Sequence, residues 1–188
     1  MARAYPKAET LGLDLNPGAL RLGKVNANLA GAEVAFSESD LYSEIPFEMI
    51  GEIDVIVSNP PYIASSTDGK DLPIYADGGA GFGLDISIRI VEQGAKVLSL
   101  TGVIAIYTGV AIPVNDPGHD AFLERLKQVE GVELVEYSIL HPDMWPEEIG
   151  KGAYVDVCRI QVVGAVLRLD AGAQGLAEAY ASRMRSAM

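Results

Sequence analysis

The chain is poor in the residues that make disulfides, metal sites and basic surfaces. It has 188 residues but one cysteine, two histidines and one tryptophan. A lone cysteine, Cys158, excludes an intramolecular disulfide and a multi-cysteine zinc site. Neither His119 nor His141 has further ligands at metal-binding spacing, so no metal is expected. Basic residues number 14 against 26 acidic ones, a net charge of −12. Binding nucleic acid through its phosphates needs a basic footprint, which makes nucleic acid the less favoured partner. No apolar run reaches the ~18 residues of a membrane span, so no membrane association is expected. No apolar stretch follows Arg3 as in a signal peptide, and the expected location is cytoplasmic. Ser58 and its neighbouring serines lack a histidine and acid at suggestive spacing, so a hydrolase triad has no support.

The remainder is ordinary globular composition, 49% hydrophobic and 21% charged, which argues against disorder. One domain is expected over residues 1–169, with an Ala/Gly-rich tail at 170–188 read as a weak or fraying helix. Thr10 to Leu15 reads as a short buried strand. Asn16 and Pro17 then form an N-cap and first helical residue, leading a helix to Leu29. Strands follow at Val34–Phe36 and Ile53–Ser58. A helix is expected over Asp85–Leu98, a strand over Gly102–Thr108, a helix over Asp120–Val129 and a strand over Val132–Leu140. A last strand lies within Ala153–Leu169, interrupted or ended near Gly164. Alternating strands and helices predict an α/β fold with a mostly parallel sheet. The last two strands have no helix between them, which predicts a closing antiparallel pair.

The sharpest chemical signal is Asn59-Pro60-Pro61-Tyr62, directly after an apolar strand. On average composition this string arises in roughly one such chain in a thousand. As plain turn chemistry it is a proline-rich exit from a strand. A second reading is functional. Adjacent prolines offer no N–H and stiffen the backbone, leaving the Pro60 carbonyl to face a ligand. Asn59 adds a side-chain carbonyl. Two acceptors aimed at one –NH2 group would hold both N–H bonds and free a lone pair otherwise delocalised. Tyr62 can stack on a flat group. Loops beyond the carboxyl ends of strands are where open α/β sheets bind ligands.

The string resembles the catalytic motif of class I S-adenosylmethionine-dependent methyltransferases that act on amide or exocyclic amino nitrogens. Leu11 to Pro17 is similar to that fold's second strand and the turn after it, whose terminal acid receives the cofactor ribose; Asp14 and Leu15 fall there. Ser39-Asp40-Leu41-Tyr42 is similar to its third-strand turn, whose Asp-Leu pair meets the adenine. Val55 to Ile63 matches the fourth strand and catalytic loop. Within the superfamily the likeness is closest to the glutamine N5-methyltransferases of peptide release factors and related small-domain methyltransferases. The resemblance implies a Rossmann-like fold with S-adenosylmethionine as methyl donor and no metal. Asp14, Leu15, Asp40, Leu41 and Asn59 would contact the cofactor. Asn59, Pro60, Pro61 and Tyr62 would serve the acceptor. The implied acceptor is a protein glutamine, with a peptide release factor as one candidate partner. Alternatives are an amino group of adenine or guanine in RNA or DNA, or a non-catalytic remnant of the fold.

In that family a Gly-rich loop follows the first strand, with the ribose acid ~20 residues beyond it, as in dinucleotide folds. Asp14 lies too near the start for that, and Ala2 to Ala8 resembles the end of the first helix. The expectation is a chain lacking the first strand and the Gly-rich loop. Two strand edges would be left open, inviting a homodimer through sheet edges. Gly79-Ala80-Gly81-Phe82-Gly83 does not follow a strand and lies downstream of the ribose acid. It therefore reads as a flexible loop before the Asp85 helix rather than a cofactor loop. Asp77 and Asp85 are candidate entry residues, Asp85 being equally an acid in a first helical turn. Trp145 reads as packing.

Overall fold

The computed structural model describes residues 2–65, 72–73 and 75–175. They fall into two compact units that divide between Ile50 and Gly51.

The first unit is a β–α–β element. Strand β1 (Leu11–Asp14) pairs in parallel with β2 (Ala35–Glu38), Asp14 opposite Glu38. Helix α1 (Pro17–Leu29) joins them. It begins as its sequence predicts: the Asn16 side chain accepts the Gly18 N–H at 2.8 Å, and Pro17 takes a position needing no donor. Leu20 turns inward, and the Phe36 ring fits against Gly12 and Gly23, where side chains would collide with it.

The second unit carries a four-stranded sheet in the order β3-β4-β6-β5. Strand β3 (Ile53–Ser58) pairs in parallel with β4 (Leu98–Pro113). Strand β6 (Val157–Leu169) is antiparallel to both β4 and β5 (Val132–His141), the closing pair expected from the sequence. Between β3 and β4 come a tight glycine-containing turn, α2 (Ala80–Gly83), and α3 (Asp85–Gly94). Helix α4 (Ala121–Leu126) precedes β5, with Asp120 as its cap. Helices α3 and α4 pack on β4 and on each other. They bury Ile88, Val91, Phe122 and Leu126 over Ile104, Ile106, Val110 and Val162.

The α/β class and the parallel-then-antiparallel order match expectation, and the ends of several elements differ: α3 stops at Gly94 and α4 at Leu126, short of the expected Leu98 and Val129. Strand β6 is not interrupted at Gly164, which pairs with Tyr107 on one side and Ser138 on the other. Strand β4 runs well past Thr108, because β6 continues to satisfy its backbone after the β3 pairing stops at Ile106. Among the described strands β1 pairs only with β2, and β3 only with β4. Residues 171–175 are helical, with Asp170 accepting the Ala173 N–H at 2.7 Å; the rest of the tail expected as a weak helix lies outside the described residues. Among the described residues no helix is long and apolar enough to cross a membrane.

Candidate active site

Asp14 ends β1, and the residues after β2 lie beside it because the strands are parallel and in register. The Ser39 N–H donates to the Asp14 carbonyl at 3.1 Å, fixing the two strand ends to each other. The Asp14 carboxylate is exposed and accepts the Asn16 N–H at 2.7 Å through Oδ1. Leu15 is about half exposed beside it. Asp40 is exposed at the mouth of the following turn. Leu41 adopts a left-handed backbone, φ 52°. For a γ-branched residue this costs of order 1 kcal/mol and persists only when neighbours impose it. Ser39 imposes it. Its hydroxyl is buried, donates to the Leu41 carbonyl at 2.8 Å and accepts the Glu44 N–H at 3.1 Å. So Asp14, Leu15, Asp40 and Leu41 come together at one carboxyl edge. The organiser, Ser39, carries no sequence signal beyond its place in the turn.

Asn59 to Tyr62 belong to the second unit, at the carboxyl end of β3. Asn59 is exposed and Pro60 buried. Among the described residues, the Asn59 side chain and the Pro60 carbonyl have no hydrogen-bond partner. Described residues of the loop beyond them are pinned by hydrogen bonds. The Ile63 N–H donates to the Ala76 carbonyl and the Gly78 N–H to the Ile63 carbonyl, both at 3.0 Å. The Ala64 N–H donates to the Tyr154 hydroxyl at 2.9 Å. Ser65 donates to Asp77 at 2.6 Å. Asp77 also accepts the Gly79 N–H at 2.9 Å. Its carboxyl is held below the usual aspartate value first by the Ser65 hydrogen bond and then by the Gly79 amide. Asp77 is therefore a loop tie, and Asp85 is engaged with Arg125 at 2.9 Å.

Tyr62 is boxed in. Its ring lies nearly parallel to Trp145, centroids 5.8 Å apart at 21°, and tilted to Tyr107 at 6.0 Å and 60°. Its ring edge meets Gly109, where a side-chain carbon would come within 2.6 Å of Cδ2. Burial first, then the Tyr107 hydroxyl, pushes the Tyr62 phenol up to about 12, so it is neutral at any ordinary pH. Trp145 itself takes a left-handed backbone, φ 50° and ψ 54°. It packs beside a small core of Ala64, Ala111, Tyr154, Val157 and Ile160 under the loop. Within the glycine string read as a flexible loop, Ala80, Gly81 and Phe82 are exposed, and Gly83 is buried and close-packed. Gly83, at φ +86°, presses its Cα onto the Tyr62 carbonyl, where a side-chain carbon would come within 2.5 Å. Sequence reasoning missed the clamping roles of Gly83, Gly109 and Tyr154. Among the described residues no group of three or more potential ligands could hold a metal.

Comparison with known proteins agrees with this architecture. The family model of the methyltransferase small domain matches residues 1–134. A putative protein N5-glutamine methyltransferase of Methanocaldococcus jannaschii is 37% identical over 99 residues, covering 51% of this chain and 48% of that protein. A release factor glutamine methyltransferase of Deinococcus radiodurans is 35% identical over 104 residues, covering 50% and 35%. A ribosomal protein uL3 glutamine methyltransferase of Burkholderia pseudomallei is 31% identical over 120 residues, covering 57% and 39%. The chain thus spans less than half the length of these relatives. Among solved structures, M. jannaschii TYW2 in complex with AdoMet superposes with a TM-score of 0.52 at 18% identity, covering 88% of this chain and 61% of that one. The [4+2]-cyclase SpnF superposes with a TM-score of 0.54 at 13% identity, covering 89% and 68%. At such identities these two likenesses speak for the fold, and the cyclase is a reminder that one fold hosts several chemistries. With the family model matching well over half of its length, the chain belongs to the methyltransferase small-domain family.

Proposed function

We propose that the protein transfers a methyl group from S-adenosylmethionine to a planar amide nitrogen, the side chain of a protein glutamine. The observation that carries this reading is the pair of acceptors, the Asn59 side-chain carbonyl and the Pro60 carbonyl, unengaged among the described residues while Ile63, Ala64 and Ser65 just beyond them are held by hydrogen bonds. Two fixed acceptors suit a group with two N–H bonds. Holding both favours the geometry in which the nitrogen lone pair leaves conjugation with its carbonyl, and preorganised acceptors do this without reorganisation during reaction. Pro61 keeps the loop stiff, and Tyr62 walls it as a neutral ring. The nitrogen becomes cationic as its bond to carbon forms, and solvent at exposed Asn59 can take the proton.

The residues at the β1 and β2 ends fit the cofactor. Asp14 has one carboxylate oxygen engaged by its own turn and a second to receive a ribose hydroxyl. Asp40 and the strained Leu41 would meet the adenine. When bound, the cofactor supplies an electrophilic methyl group on a sulfonium sulfur.

A protein acceptor is favoured over nucleic acid by the charges about the loop. Asp77 ties it, Glu147 and Glu148 follow Trp145, and the nearby Arg125 is engaged by Asp85. Among these described residues the acids outnumber the basic Arg125 and Lys151, which disfavours a polyanion. Relatives that modify release factors and a ribosomal protein make such a protein the first acceptor to try. The expected cytoplasmic location goes with this reading. So does self-association through the open sides of β1 and β3, which sedimentation of the purified chain would reveal as a dimer.

The test is calorimetric titration with S-adenosylhomocysteine, with Asp14→Ala as control, followed by mass analysis of a release factor after incubation with S-adenosylmethionine. Micromolar binding lost in the control, and one methyl on a glutamine, support the proposal. Absence of binding by the native chain favours a non-catalytic remnant. Methylation of RNA in preference to protein moves the acceptor to a base.

A further inference from the structure

We propose that Trp145, on the connection between β5 and β6, is a positioning residue that sets the acceptor geometry of the Asn59 loop through the ring of Tyr62. The proposal rests on the acceptor role argued above for that loop. Three observations converge on it. Trp145 is stacked on Tyr62 with ring planes only 21° apart, an orientation that fixes the tilt of the smaller ring. It does so from a left-handed backbone, which a bulky residue adopts only where its surroundings impose it. The surroundings are specific. The Met144 N–H donates to the Ile160 carbonyl at 2.7 Å, and the Glu148 N–H closes on the Trp145 carbonyl at 2.9 Å.

The same connection grips the loop at a second point. Tyr154 accepts the Ala64 N–H from a position ninety residues away in sequence. Trp145 and Tyr154 thus hold the two ends of the segment that runs from Tyr62 to Ala64. Tyr62 follows Pro61 directly, and prolines allow little independent motion. A change in ring tilt is therefore passed back to the Pro60 carbonyl and Asn59. An offset of about 1 Å between catalytic groups can cost of order a hundredfold in rate. That leverage makes the β5–β6 connection the element that tunes acceptor geometry, although it carries none of the motif residues.

The experiment compares the native chain with Trp145→Ala and Trp145→Phe, using a bacterial release factor as acceptor. Trp145→Ala is expected to lower kcat at least tenfold while the dissociation constant for S-adenosylhomocysteine stays within twofold. Trp145→Phe, which restores a flat ring, is expected to recover most of the rate. Equal losses in both variants, or no loss in either, overturn the proposal, as does a parallel loss of cofactor binding. Hydrogen exchange at the Ile63 and Ala64 amides gives a readout that does not depend on turnover. Protection should fall in Trp145→Ala and return in Trp145→Phe; unchanged protection overturns the positioning role even if the native chain proves inactive. Native turnover that fails altogether, with that exchange pattern intact, counts against the function and not against the positioning. Because Trp145 is the single tryptophan, Tyr62→Leu should also shift its emission, and an identical spectrum refutes the stack.

Discussion

Among the described residues, the region up to Ile50 buries one hydrophobic side chain, Leu20, and leaves Leu22, Val25, Leu29 and Phe47 more than half exposed. From Gly51 onward, Leu84, Val91, Ile104, Val110, Phe122, Val162 and Leu167 are all at 1% exposure or less. A two-stranded ribbon with a single helix gains too little burial to offset its chain entropy. The four-stranded sheet with α3 and α4 has a core of its own. On the proposed reading, the cofactor residues Asp14 and Asp40 lie on the thinly packed region and the acceptor residues on the well-packed one. If the Asn59 loop holds the acceptor as proposed, it needs rigidity to keep an amide in an unfavourable geometry. The cofactor end can be ordered by its ligand, and weakly protected segments are those in which binding and folding are coupled.

Four measurements break or sharpen this contrast, the largest effect first. Asn59→Ala should lower turnover by about a hundredfold or more, as expected for loss of one preorganised polar group. Asn59 is exposed, so the thermal midpoint should hold; a drop in that midpoint would make Asn59 a structural residue. Phe122→Ala should cost about 3–5 kcal/mol in denaturant unfolding, whereas Leu22→Ala on exposed α1 should change stability by no more than ~0.5 kcal/mol. Similar costs at both sites would end the distinction between the regions. Gly109→Ala should cost about 1–3 kcal/mol by overpacking and should lower turnover, because the added methyl meets Tyr62 rather than a flexible chain end. Saturation with S-adenosylhomocysteine should slow amide exchange across β1, α1 and β2 more than across β4 and β6.

The pH response should act within the well-packed region, with opposite signs at its two titratable ties. Asp77 has a lowered carboxyl in the folded protein, so the stability it contributes is present above the unfolded aspartate value of 3.8 and is lost as pH falls below it. Acid should therefore loosen the ties of Ser65 and Gly79 to Asp77, and Asp77→Asn should remove that dependence. Tyr62 has the opposite sign. Its raised phenol contributes stability fully present below pH 10, the ordinary tyrosine value, and lost as pH rises towards about 12.

Much of this architecture is legible in the chain because local rules and tertiary structure agree. Strand β3 ends at Ser58 as expected, since the Asn-Pro-Pro that follows cannot continue a ladder. Helix α1 begins where Asn16 and Pro17 place it. What was not legible is set by partners remote in sequence. The length of β4 follows from β6, which pairs with it to Pro113 and so carries it past the expected end at Thr108. The close packing of Gly83 is invisible until Tyr62 is placed against it, and a glycine string taken alone suggests looseness. Ser39 likewise declares its role only once Leu41 is seen to need a buried hydroxyl. The turn at residues 59–62 was readable as the end of β3; the clamps on Tyr62 were not.

The contact between Gly83 and the Tyr62 carbonyl bears on how such a protein can diverge. A loop rich in Gly, Ser and Asp is usually where substitutions accumulate freely. Here the backbone of one segment lies on the backbone of another, and no flexible side chain stands between them to absorb a change. Saturation mutagenesis should show position 83 rejecting every replacement while exposed Ala80 and Phe82 accept many. The loop would then drift in its charges and outer surface from lineage to lineage, and its path over Tyr62 would be the inherited part.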